Sequence, residues 1–146
     1  MADTTFIKLV IEPHMRQWLL SQFPGHVFEE RSVALPGGVF KCDAVSGDGS
    51  IVASFMCNRP RTATGNLNSG GLMKARSEVQ GLKSMIAARR LIVCTDDDFR
   101  QLAMKQTKRF GTDGIEFLFC QLPEDLQRLL NDNLNASSRE QRNRND

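Results

Sequence analysis

Between His26 and Cys57 the chain holds three short strand-like runs rich in apolar residues, each cut by glycine. His26 to Leu35 alternates, and Pro36-Gly37-Gly38 turns it into Val39 to Val45. Gly47-Asp48-Gly49 turns that run into Ile51 to Cys57. Short glycine-containing links between such runs predict two hairpins, hence an antiparallel meander. Ahead of it, Met15, Trp18, Leu19, Gln22 and Phe23 recur at helical spacing until Pro24-Gly25 stops them. Proline suits a first helical turn and disfavours helix in the residue before it, so a boundary falls at Glu12-Pro13. Phe6 to Ile11 fits a short strand or a first helical segment equally.

After the meander, Asn58 to Gly70 is polar and glycine-rich, a loop too long for a simple turn. Leu72 to Arg90 reads as a helix, with Leu72, Ala75, Val79, Leu82, Met85 and Ile86 on one face. Leu91 to Thr95 is a continuous apolar strand of the kind buried on both faces. Thr95-Asp96-Asp97-Asp98 caps a further helix carrying Phe99, Leu102, Ala103 and Gln106. Gly111 to Gly114 breaks it, Ile115 to Leu122 forms a fifth strand, and Pro123-Glu124-Asp125 opens a last helix with Leu126, Leu129, Leu130 and Leu134. From 136 to 146 the chain has no large apolar residue, which predicts a disordered polar tail after one domain spanning 1–135. A meander followed by helix-strand-helix-strand predicts an α/β fold, a mixed sheet between helices in a three-layer sandwich.

Bulk composition adds little direction. The chain has 146 residues, 40% hydrophobic and 25% charged, with a formal net charge of +2. That suits one soluble domain, and any basic surface must come from local clustering. No apolar run approaches the ~18 residues of a membrane span, and Met1 to Thr5 lacks the basic start of a signal peptide. A cytoplasmic protein without a membrane partner is expected. Cys42, Cys57, Cys94 and Cys120 form no Cys-x-x-Cys pair, so reduced thiols packing as small apolar residues are expected rather than zinc ligands.

Asp43 stands out because an unpaired carboxylate deep in a strand is costly. A competing role is that of a strand-end residue bonded by the Ser46-Gly47 turn, although Asp48 suits that turn better. A helix-meander-helix-strand order with Asp43 in the second strand resembles the PD-(D/E)XK nuclease superfamily, the restriction-endonuclease-like fold. The resemblance spans roughly Pro13 to Leu122 and implies a strand aspartate and an acid on the next strand binding Mg²⁺. It also implies a lysine two residues further on that positions the attacking water. Here Ser54 and Met56 occupy the positions of that acid and lysine, and neither can replace them.

Some members of the superfamily move the acid, and sometimes the lysine, onto the following helix. Lys74 and Glu78 lie there at i and i+4, with Gln80 and Lys83 less well placed. The resemblance then implies Asp43 and Glu78 as metal ligands, Lys74 as the catalytic lysine, and Glu29 or Glu30 as a further carboxylate. The bland alternative for Lys74 and Glu78 is a solvated ion pair worth ~0.3–0.5 kcal/mol. Arg59, Arg61, Arg76 and Lys83 could add a basic rim for DNA phosphates. Asp96 to Asp98 reads as helix capping, His14 and His26 as structural or surface residues, and Trp18 and the phenylalanines as core. The expected function is DNA binding with Mg²⁺-dependent phosphodiester hydrolysis. The alternative is a catalytically inactive scaffold for protein interaction or assembly, including a homodimer through the sheet edge or the Leu126–Leu134 helix.

Overall fold

The computed structural model describes residues 4–145. Its centre is a five-stranded mixed sheet: β1 (Phe28–Leu35), β2 (Gly38–Ser46), β3 (Ile51–Met56), β4 (Arg89–Cys94) and β5 (Ile115–Phe119), in spatial order β1-β2-β3-β4-β5. β1, β2 and β3 form the antiparallel meander, whereas β3, β4 and β5 run parallel. Parallel neighbours need crossovers, supplied by α3 (Ser69–Lys83) and α4 (Asp97–Thr107). On one face of the sheet Ile11, Met15, Leu19 and Leu130 pack against Ala44, Ala53, Phe55, Leu91 and Val93. On the other, Ala75, Val79, Leu82, Phe99 and Ala103 pack against Val45, Val52, Ile92 and Cys94. The sheet therefore has helices on both faces.

Several boundaries differ from the pattern-based expectation. Phe6 to Ile11 is helical: α1 (Thr4–Phe6), a π-helical turn (Ile7–Ile11) and α2 (Glu12–Gln22) run on without a break at Glu12-Pro13. The Glu12 N–H reaches back to the Ile7 carbonyl, and this wider turn directly precedes Pro13, whose missing donor removes one bond of the regular ladder. α3 stops at Lys83 rather than Arg90, because Arg90 donates to the carbonyls of Leu82 (2.9 Å) and Met85 (2.7 Å) and closes the helix end. Ile86, placed by periodicity on the buried face, is consequently 100% exposed. β5 ends at Phe119, and the backbone of α5 (Glu124–Asn145) continues over most of the stretch whose polarity predicts a disordered tail.

Two irregularities in β2 prepare the site. Glu29 pairs with Val45 and Arg31 with Cys42, so a two-residue step on β1 faces a three-residue step on β2. The extra residue is a β-bulge at Asp43-Ala44, a device that re-aims side chains. The β2–β3 register consists of Ala44↔Ala53 and Val45↔Val52; beyond it the two strands part. The diverging hairpin lays Phe40 on α3 at Gly81, where an added Cβ would lie 2.3 Å from the ring. Glycine is thus what lets α3 settle against β2.

Candidate functional site

At the opening between β2 and β3, the half-buried Asp43 substitutes for the missing strand ladder. Its Oδ2 accepts the Phe55 N–H at 2.8 Å, and its main-chain carbonyl accepts Arg16 Nε at 2.9 Å. Asp43 is therefore not the residue that organises the following turn. Asp48 does that, its Oδ1 accepting from Ser46 Oγ (2.8 Å), Ser50 N (3.0 Å) and Ser50 Oγ (2.7 Å). Those hydrogen bonds hold the Asp48 carboxyl well below its usual range.

Glu78 projects from α3 to the adjacent position of β3, where Ser54 Oγ donates to its Oε2 at 2.8 Å. Burial pushes the carboxyls of Asp43 and Glu78 upward, and the charge of Asp43 pushes Glu78 further. The Lys74 ammonium, one turn before Glu78 and exposed, opposes the rise at both. Asp43, Glu78 and Lys74 thus share one electrostatic neighbourhood. Met56 is fully buried in the α3-side core and brings no polar group to it.

Further charges complete this opening. Half-buried Glu12 of α2 has its carboxyl raised by burial first and by Asp43 second, against the lowering effect of Arg16. Arg16 Nη2 lies 3.5 Å from both Glu12 Oε1 and Glu30 Oε2, and Lys41 Nζ lies 3.5 Å from Glu30 Oε1. By its place before Pro13 alone, Glu12 marks only a helix boundary. The i, i+4 spacing of Glu12 and Arg16 was the available signal. Glu29 does not join the group: its side chain is exposed and pairs with Arg31 at 3.0 Å. Alternation alone cannot choose between Glu29 and Glu30, and the fold turns Glu30 toward Arg16 and Lys41.

The four cations expected to form a basic rim are dispersed. Arg59 donates to Asn135 Oδ1 (2.9 Å) and Arg61 to the Gly65 carbonyl (3.1 Å), both within or beside the loop from β3 to α3. Asn68 ties that loop down by capping α3 at Gly71 N (3.0 Å) and donating to the Arg59 carbonyl (2.9 Å). Arg76 stacks over the Phe110 ring at 3.7 Å, and Lys83 donates to the Gly111 carbonyl at 2.6 Å. Arg76 and Lys83, seven residues apart, share a side of α3 opposite Lys74 and Glu78. Asp96 caps α4 at Phe99 N (2.8 Å), as its position implied.

Asp43 and Glu78 offer carboxylate oxygens, the donor type a hard divalent cation takes. Asp43 and Glu78 each spend one oxygen on a protein hydrogen bond and keep the other. Among the described residues no group of three or more His, Cys, Asp or Glu is arranged to hold a metal. Two carboxylates completed by water and phosphate oxygens is the pattern Mg²⁺ takes. Comparison with protein-family models, curated proteins and solved structures yields no match.

Proposed function

We propose that this chain is a divergent PD-(D/E)XK-like domain that binds DNA and hydrolyses phosphodiesters with Mg²⁺. The observation that carries the reading is the Ser54–Glu78 hydrogen bond of 2.8 Å. It brings a helix acid to the strand position where the family's second acid stands, beside the strand parting that presents Asp43. Asp43 and Glu78 would hold the cation through their remaining oxygens, and Mg²⁺ supplies Lewis acidity toward a phosphate. Lys74, exposed at the opening, donates to a phosphate oxygen as a point charge. Glu12, half-buried and paired with Arg16 at 3.5 Å, adds a third carboxylate to the charge environment of Asp43. Arg16 is a positioning residue, fixing the Asp43 carbonyl and drawing in Glu12.

A second reading, a catalytically silent nuclease-like scaffold for interaction or assembly, is favoured by the buried Met56 in place of the lysine and by the structural bond of Asp43 to Phe55. Cleavage of plasmid and branched DNA in Mg²⁺ or Mn²⁺ separates the two. Hydrolysis by the native chain, reduced ~100-fold or more by Glu78→Gln and by Asp43→Asn, is the expected result. Asp43→Asn keeps an acceptor for Phe55 N–H, so loss of cleavage there reports chemistry rather than folding. A native chain that cleaves neither substrate leaves the scaffold.

A further inference from the structure

On the α4 side of α3, the residues 99–112 read Phe-Arg-Gln-Leu-Ala-Met-Lys-Gln-Thr-Lys-Arg-Phe-Gly-Thr, four cations with no acid. Lys108 and Arg109 lie in the 3-10 turn Lys108–Phe110 that ends α4. Two cations from α3 dock on this turn: Arg76 over Phe110 at 3.7 Å and Lys83 on the Gly111 carbonyl at 2.6 Å. Gly111 adopts φ +77°, which an L side chain rarely takes, and so presents that carbonyl. Lys105 and Lys108 line the neighbouring groove, which also holds Asp113. Arg76, Lys83, Lys105, Lys108 and Arg109 are all exposed. None has a carboxylate within 4.0 Å among the described residues, whereas Arg100 is neutralised by Asp97 at 2.6 Å.

We infer that this turn is a second anion-binding surface, on the opposite flank of α3 from Asp43, that takes the phosphate backbone of duplex DNA. Like charges gathered without counter-ions repel one another, and a polyanion relieves that repulsion while releasing its own condensed ions. Two of the cations are held in place by the Phe110 ring and the Gly111 carbonyl, so they meet regularly spaced phosphates with little ordering left to do. An anionic bilayer would instead call for apolar side chains free to insert. The Phe110 ring is 41% exposed but has Arg76 across its face. The surface does not depend on catalysis at Asp43.

The test is fluorescence anisotropy of the full chain with a labelled duplex of about 20 bp in EDTA, across a range of KCl, so that no metal engages the acids. Lys108→Gln/Arg109→Gln, checked for native circular dichroism, is expected to weaken binding ~10-fold or more near 0.1 M salt and to lower the log–log salt slope by ~2. Lys105→Gln is expected to act in the same direction by a smaller factor, and Arg31→Gln, a β1 cation paired with Glu29, to leave affinity unchanged. Unaltered affinity and slope in the double variant would overturn the inference. So would tighter binding to phosphatidylserine-containing vesicles than to duplex, or binding lost through Arg31→Gln instead. Cleavage by a native chain whose double variant still binds normally leaves the catalytic proposal standing and this surface refuted. Salt-sensitive binding lost in the double variant, without any cleavage, does the reverse.

Discussion

At the parting of β2 and β3, which Glu78 of α3 reaches from one face of the sheet and Arg16 of α2 from the other, Lys8, Arg16 and Lys41 each lie within 4.0 Å of Glu30. On the flank of α3 that faces α4, Arg76 and Lys83 meet an aromatic ring and a carbonyl instead of carboxylates. A net charge of +2 averages these surfaces into apparent neutrality. The first region is a compensated site whose acids crowd one another; the second gathers exposed cations beside Asp113, none within 4.0 Å of a carboxylate among the described residues. Burial costs in the first are met by hydrogen bonds and counter-charges, while the second leaves its field to solvent. Residues of the same type thus differ in what they can bind according to the partners the fold brings to them.

The comparison is broken most directly at Asp43. Asp43→Ala is expected to abolish metal-dependent cleavage and, by orphaning the Phe55 N–H, to cost about 1–3 kcal/mol in urea unfolding. Asp43→Asn should lose the cleavage and keep most of that stability. Equal destabilisation by both variants would mean that charge, not the acceptor, secures β3. Gly81→Val should cost about 1–3 kcal/mol by driving Phe40 off α3, and it should weaken Mn²⁺ binding by displacing Glu78. A native unfolding midpoint in that variant would show that the hairpin swings freely.

Titration sharpens the contrast. Glu12, Asp43 and Glu78 have folded-state pKa values above their ordinary ones, so the folded chain binds more protons than the unfolded chain as pH rises past about 4. Their contribution is complete at lower pH and declines as pH climbs through the raised values. Thermal unfolding should accordingly show a stability loss over that window, shallower in Glu78→Gln and offset by Mn²⁺ in the native chain. A stability that rises with pH there would contradict the crowding of these acids. At the Phe110 flank, Lys108→Gln should change unfolding free energy by no more than about 0.5 kcal/mol, since nothing folded depends on that ammonium.

Much of the scaffold was legible in the chain. Glycine-cut runs marked the meander, and the apolar run ending at Cys94 marked a strand buried on both faces. Lys74 and Glu78 were legible as a pair because helical spacing is local. What escaped depended on distant partners. The end of α3 rests on Arg90 reaching back to Leu82 and Met85, which no periodicity encodes. The choice of Glu30 over Glu29 follows from a bulge and from Arg16, 14 positions earlier in the sequence. Sequence proximity groups Arg76 and Lys83 with the acids, although half a helical turn sends them to Phe110 and Gly111.

The bulge at Asp43-Ala44 also bears on how this protein can vary. One surplus residue in β2 sets which way the positions before it point relative to those after it. Removing it would swap inside for outside along the hairpin, turning Phe40 away from Gly81 and moving Asp43 off the Phe55 N–H. Replacing a single side chain alters one contact, whereas changing the strand's length by one alters them all. Chains descended from this one should therefore tolerate exchanges of residue type in β2 far more readily than gains or losses of a position.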